Sequence, residues 1–215
     1  MQSSNNVKQP FPAILRIPAI DNTVMKFIFA ALTILLLSST ILFGQKTYTL
    51  DKNHARVGFS AVHFGISHVE GNFKMIDATL NSKKADFTDA AISFTADVNS
   101  VNTDVAYRDD DLKSANYFNA EKFPTISFKS SAFKKLGGKN YLLRGNITIH
   151  GITKPVVFNV VYNGQAVTAM KKPTAGFTIT GQVNRLDFGV GGPALTSGIS
   201  NKIELRANVE FTISE

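Results

Sequence analysis

The stretch Ile203-Glu204-Leu205-Arg206-Ala207-Asn208-Val209-Glu210-Phe211-Thr212-Ile213 alternates apolar and polar residues without a break. A β-strand sends successive side chains to opposite faces, so this segment predicts a strand with one dry and one wet face. The same period of two recurs upstream. Ile92, Phe94, Ala96 and Val98 alternate with Ser93, Thr95, Asp97 and Asn99. Leu143, Ile147 and Ile149 alternate with Arg144, Asn146, Thr148 and His150, and Phe177, Ile179 and Val183 with Thr178, Thr180 and Gln182. Weaker β-branched and aromatic runs at 57–64, 69–80, 125–133 and 156–162 fill the gaps. In the second of these the apolar parity shifts near Met75-Ile76, which predicts a β-bulge. Gly137-Gly138-Lys139-Asn140, Asn163-Gly164 and Lys172-Pro173 read as turns.

About eight strands with one dry face each predict an all-β fold, a single extended antiparallel β-barrel, because closure removes exposed edges. A two-sheet sandwich is the alternative. One stretch breaks the pattern: 104–116 reads as a short helical insertion across a mouth or side of the barrel. Thr103 is its expected N-cap, Asp104 sits near the positive end of the dipole, and Val105, Leu112 and Ala115 lie near one face.

The chain has 215 residues, 44% of them hydrophobic and 18% charged, enough apolar material for one sizeable core. It contains no cysteine, which excludes disulfides, thiolate metal sites, cysteine nucleophiles and a lipidated N-terminal cysteine. Met25-Lys26 precedes an apolar run, Phe27 to Phe43, interrupted only by Thr33, Ser38, Ser39 and Thr40. With Gly44 before Gln45, residues 25–44 have the layout of a secretory signal peptide. An uncleaved anchor is the alternative, although the run is short for a span of about 20 residues. Residues 1–24 are Pro-rich and patternless, and read as a gene-model extension or a cytoplasmic stub. The barrel domain is therefore expected over 45–215, outside the cytoplasm.

The whole chain carries a net charge of +7; without Lys8, Arg16, Asp21 and Lys26 the part from residue 45 onward keeps +5. The pairs Lys83-Lys84, Lys134-Lys135 and Lys171-Lys172 all fall in expected turns. Solvated turns that block edge pairing account for them; attraction to an anionic membrane surface is the functional alternative. Nucleic acid is not expected, since no recognition motif accompanies the charge. Oligomeric state is left open.

Four spaced blocks resemble the YceI family of lipid- or polyisoprenoid-binding periplasmic proteins. The first is Asp51-Lys52-Asn53-His54 with Phe59, His63, Gly65, Val69, Gly71 and Phe73. The second comprises Ser100-Val101, Thr103, Arg108-Asp109, Leu112, Ser114, Phe118, Phe123-Pro124, Ile126 and Phe128. Gly145 to Val156 is the third, and Arg185, Asp187, Phe188 and Gly189 close the set. Asp111 stands where such proteins often carry histidine, and Ala55 where they often carry serine. The resemblance implies a lipocalin-like barrel around a long isoprenoid chain.

Thirteen phenylalanines follow residue 44. Parity points Phe59, Phe73, Phe94, Phe128, Phe158, Phe177 and Phe211 inward. An eight-stranded barrel is either filled by side chains or holds one small ligand, and the pattern alone leaves both open; the resemblance implies a hollow interior. His63 shares parity with Val57, Phe59 and Ala61, as a core histidine or as a partner for a polar ligand head. Arg108 reads as paired with a neighbouring carboxylate in Arg108-Asp109-Asp110-Asp111, and Arg185 as paired with Asp187. One of these arginines is expected near the mouth. The ligand-binding set is thus Phe59, His63, Phe73, Phe94, Arg108, Phe118, Phe128, Phe158 and Phe177.

His54, His63, His68 and His150 have no tight zinc spacing, the acidic run lacks an EF-hand's glycine and glutamate, and no metal is expected. No nucleophile, phosphate-loop or dinucleotide motif is present, so no catalytic residue and no cofactor beyond a bound lipid or quinone is expected. Gly191-Gly192-Pro193 and Ser197-Gly198 read as a flexible connection and a candidate lid. The expected function is a periplasmic carrier of a polyprenyl lipid or isoprenoid quinone. The alternatives are an enzyme acting on such a lipid through His63, and a structural or stress-protective envelope protein with a filled barrel.

Overall fold

The computed structural model describes residues 21–23, 26, 44–169, 171–192 and 198–214. The chain divides into two units, Met1–Leu42 and Phe43–Glu215, and the second carries the fold. The expected signal segment, apart from Lys26 and Gly44, lies outside the described residues, as do residues 193–197 of the candidate lid. Among the described residues no helix is long and apolar enough to cross a membrane.

The strands are β1 (Lys46–Leu50), β2 (Arg56–His63), β3 (Ser67–Phe73), β4 (Ile76–Ser82), β5 (Ala91–Asp97), β6 (Val101–Asn102), β7 (Thr125–Gly137), β8 (Asn140–Ile149), β9 (Ile152–Val167), β10 (Pro173–Asn184) and β11 (Ile199–Ile213). Helix α1 (Ala106–Lys113) separates β6 from β7. Strands β1-β4-β5-β7-β8-β9-β10-β11 follow one another around the wall, and β11 returns to β1 through Tyr48 opposite Ile213 and Leu50 opposite Phe211. The result is a closed eight-stranded antiparallel barrel. Closure leaves no free edge along these strands.

More strands are present than staves because three staves bend; in one of them β5 and β6 pair with β4 and β3 on either side of a 3-10 turn at Val98–Ser100. β1 and β2 pair with successive parts of the same edge of β11, and between them the Asp51 side chain accepts from the Asn53 N–H to cap a 3-10 turn. β3 and β4 turn a corner at Lys74-Met75, whose N–H groups donate to the Ser100 carbonyl and hydroxyl. The parity shift near Met75-Ile76 therefore marks a corner between two strands rather than the expected bulge. Conversely, Asn163-Gly164 is not a turn: β9 runs through it to Val167, with a register irregularity opposite Gly176 and Phe177. Gly164, at φ +139°, takes the backbone kink that a bulge requires. Lys134-Lys135 also lies in a strand, near the end of β7.

The interior has two halves. At the end where β1 begins, the loop 83–90 folds inward and buries Phe87 to 1% exposure. Its ring sits 5.5 Å from Tyr48, 5.6 Å from Tyr162 and 5.4 Å from Phe177, in edge-to-face arrangements. The Tyr141 hydroxyl holds the loop by donating to the Asp86 carbonyl at 2.8 Å. Asp89 accepts from the Ser82 hydroxyl and the Lys83 and Lys84 N–H groups. This half is a solid aromatic plug. All three lysine pairs belong to elements that meet here: the 83–90 loop, the end of β7 and the β9–β10 connection.

Candidate functional site

The other half of the barrel is hollow. Inward residues of β2, β5, β7, β8, β9, β10 and β11 surround a cavity of about 450 Å³, within the usual range for small-molecule sites. Phe128 and Phe158 are buried in its wall, while Phe59, Phe73, Phe94 and Phe118 are half-buried and face the open space. Phe59, Phe73 and Phe118 form a chain of rings, with centroids 5.9 and 6.0 Å apart. Phe177 does not line the cavity: it sits in the plug against Phe87, Tyr162 and Phe211. Period-two parity assigns a side chain to the inside but not to a height along the barrel, which is why Phe177 was expected with the others.

Glycines on neighbouring strands make room for three of the rings. A Cβ at Gly145 would overlap the Phe128 ring, one at Gly181 the Phe158 ring, and one at Gly71 the Phe59 ring. Each phenylalanine thus lies across the adjacent strand's backbone, which keeps it against the wall. A glycine at an inward position beside a phenylalanine on the next strand is a signal the alternation contained.

The cavity reaches solvent beside α1, where Tyr107 is 79% exposed yet lines it along with Arg108, Asp111 and Leu112. The helix is shorter than 104–116 and its N-cap is Val105, with no side-chain cap bond. Thr103 has a different role. Its hydroxyl and N–H both donate to the Asp109 carboxylate, at 2.6 and 2.8 Å, and all three groups are buried. Arg108, expected on a carboxylate, donates instead to the Thr103 hydroxyl and carbonyl, at 2.8 and 2.9 Å. Asp104 adopts φ +62°, turning the chain into the helix.

His63 lines the cavity near the β2–β3 turn, its ring 4.4 Å from that of Phe64. Phe64 and Ile66 on that turn are exposed. His150 was expected on the polar face of a strand, but it occupies the two-residue β8–β9 turn with Gly151, at φ +51° and +73°. Positive φ at both positions is what a tight hairpin turn asks for. His150 Nδ1 lies 3.1 Å from the Phe188 carbonyl and its ring stacks edge-on with Phe123.

That contact braces the segment carrying Arg185. Asn184 caps a 3-10 turn over Arg185–Phe188, and Gly189 and Gly191, both left-handed, curl the following chain back over it. Arg185 Nη1 donates to the carbonyls of Val190 (2.8 Å), Gly191 (2.7 Å) and Gly192 (3.3 Å), and Nε to that of Ser200 (3.2 Å). The side chain is 5% exposed, lines the cavity, and keeps Nη2 buried without a partner. The expected pair with Asp187 does not form; among the described residues no carboxylate is in ion-pair reach of Arg185. Burial pushes its pKa down from the ordinary arginine value, opposed by the nearby Tyr117. Tyr117, also lining the cavity, has its hydroxyl pKa raised by burial and by Asp111.

Outside the cavity, Asp51, His54 and Glu210 bring three ligand-type atoms within 4.8 Å of one another. His54 Nδ1 lies 2.9 Å from Asp51, whose carboxylate raises the histidine's pKa while its own falls. The pair staples the β1–β2 corner.

Residues 48–211 match the model of the YceI-like domain. A UPF0312 protein of Pseudomonas putida (strain W619) is 35% identical over 152 residues, covering 70% of this chain and 79% of its own. One from Photorhabdus laumondii is 33% identical over 155 residues, covering 72% and 80%. Among solved structures, the Campylobacter jejuni YCEI protein superposes with a TM-score of 0.64 at 31% identity, covering 78% of this chain and 98% of that one. Burkholderia cenocepacia BcnA gives 0.69 at 23% identity, over 75% and 98%. A polyisoprenoid binding domain from Saccharophagus degradans gives 0.59 at 13% identity, over 78% and 98%, a likeness of fold alone.

Proposed function

The chain belongs to the YceI-like domain family, and from that premise we propose that it is a periplasmic carrier holding a long isoprenoid-type lipid, a polyprenyl lipid or an isoprenoid quinone, in the hollow half of its barrel. The observation that carries this reading is the cavity itself: about 450 Å³, walled mostly by aromatic and aliphatic side chains, with few polar ones, among them His63, Arg108, Tyr117 and Arg185. In this reading Phe59, Phe73, Phe94, Phe118, Phe128 and Phe158 supply the apolar contact surface, and His63 and Arg108, which also line the cavity, are partners for a polar head. The described kinship of the Saccharophagus domain to polyisoprenoids points the same way. Each methylene buried here contributes roughly 0.8 kcal/mol, so about fifteen or more are needed to offset the cost of association and reach micromolar affinity. The apolar run at 27–43 supports export.

The lysine pairs lie at the plugged end, so they would not draw the mouth toward an anionic membrane. Phe64 and Ile66, exposed beside His63, suit a lipid surface better.

The test is to recover the protein from a periplasmic extract and analyse its organic-solvent extract by mass spectrometry. A stoichiometric long-chain isoprenoid is expected. A protein recovered empty, which also ignores added geranylgeraniol, would rule the carrier out; a protein confined to the cytoplasm would rule out the export.

A further inference from the structure

Two large apolar side chains stand in water on the β2–β3 turn, Phe64 at 63% and Ile66 at 87% exposure. The Ile66 N–H closes the turn onto the His63 carbonyl at 3.1 Å, and φ is +48° at Phe64 and +72° at Gly65. Positive φ at both central positions is what Asn-Gly fills best, and a bulky side chain there is strained. Phe64 therefore carries two costs, a strained backbone and a wet ring, and its ring meets only that of His63 among the described residues. Neither Phe64 nor Ile66 lines the cavity, so a ligand inside leaves both uncovered. Strain kept at such a place points to function rather than to folding.

The turn belongs to the open end of the barrel. His63, which precedes it, lines the same cavity as the exposed Tyr107 of α1, and the Phe64 N–H donates to the Gly198 carbonyl just ahead of β11. Charge is distributed the other way. At this end the segments 103–124 and 185–192 carry five exposed carboxylates, among them Asp104, Asp110 and Asp111. Against them stand three cations outside the interior, Arg108, Lys113 and Lys122, and Lys113 is already paired with Asp110 at 2.8 Å. All three lysine pairs lie at the plugged end. An anionic surface would thus attract the plug and repel the mouth.

We propose that the open end docks on a lipid bilayer of uncharged, zwitterionic headgroups, with Phe64 and Ile66 inserted and Tyr107 at the interface. A tyrosine suits that boundary, having an apolar ring and a wet hydroxyl. An apolar ligand then passes between membrane and cavity without crossing water. This inference rests on the apolar-carrier reading and adds to it the surface from which the cavity is filled. Anionic lipid weakens the contact, the reverse of docking through a basic patch.

The chain contains no tryptophan, so Phe64→Trp, and Leu136→Trp near the plugged end, each supply a single reporter in protein recovered from a periplasmic extract. With phosphatidylcholine vesicles, emission from Phe64→Trp is expected to shift to the blue and to be quenched by brominated acyl chains, while Leu136→Trp keeps its emission in buffer. Adding phosphatidylglycerol is expected to reduce the response at 64. A response at 136 alone, silence at both positions, or a response at 64 that grows with anionic lipid overturns the proposal. Phe64→Asn separates insertion from folding. It is expected to lower vesicle affinity, measured by flotation, about tenfold or more, while the urea midpoint rises as the turn is relieved. Unchanged affinity, or a midpoint that falls because Phe64 serves the fold, overturns the assignment. Geranylgeraniol uptake, followed by displacement of a fluorescent apolar dye, tests carriage separately: uptake without vesicle binding overturns the docking alone.

Discussion

A single absent methyl group decides how the hollow half is built. Gly145 sits at an inward position of β8, between Leu143 and Ile147, where alternation calls for a large apolar side chain. A Cβ there would overlap both the Phe128 ring and the Lys129 carbonyl oxygen. The second of these is backbone in the paired strand β7 and cannot rotate away. Gly145→Ala is therefore expected to destabilise the barrel by about 1–3 kcal/mol through overpacking, measured as a fall in the urea midpoint. An unchanged midpoint would mean that the β7–β8 pairing yields more easily than its hydrogen-bonded register implies. Gly181 differs in kind: its main obstacle is the Phe158 side chain, a group able to turn.

At the scale of the element, α1 is a helix that would not stand alone. Its eight residues, Ala106-Tyr107-Arg108-Asp109-Asp110-Asp111-Leu112-Lys113, include three consecutive aspartates and a single aliphatic anchor, and so short a helix is marginal in water. Tertiary bonds hold it. Thr103 binds Asp109 through hydroxyl and N–H and accepts from Arg108, tying the first turn to the end of β6. Thr103→Val keeps the shape and removes the hydroxyl, leaving the buried Asp109 carboxylate one bond short. A loss of roughly 1–3 kcal/mol is expected, together with faster amide exchange across 106–113. If the exchange stays at wild-type rates, the helix is held by something other than this cluster. The sequence showed a helix here because the period of two stops, but its anchor was assigned to an N-cap that Val105 occupies. Capping rules concern local spacing, whereas Thr103 engages a side chain six residues on.

For the whole molecule, the decisive feature is the division of one barrel into a plug and a cavity. Phe87, at φ +59° in a loop that no periodicity describes, closes the interior from one end. Phe87→Ala is expected to cost about 3–5 kcal/mol, seen in denaturant unfolding. The contacts removed are those that hold Tyr48, Tyr162 and Phe177 together. A cost below 1 kcal/mol would indicate that these rings close the gap by themselves. The filled-barrel and hollow-barrel readings that the alternation left open each describe one end of the structure.

The sequence by itself determined the class of fold, the sidedness of nearly every strand and the family, because period-two burial is a local property written residue by residue. Eight of the nine residues expected around a ligand do line the cavity, six of them strand residues that parity pointed inward. What tertiary structure alone decided was position along the barrel axis and partnership across it. Phe177 faces inward as parity requires, yet its height places it in the plug. Arg185 lies two residues from Asp187, yet the glycine-rich return of 189–192 surrounds it with carbonyls instead. Both outcomes depend on where distant segments meet once the barrel has closed, and no window of neighbouring residues encodes that.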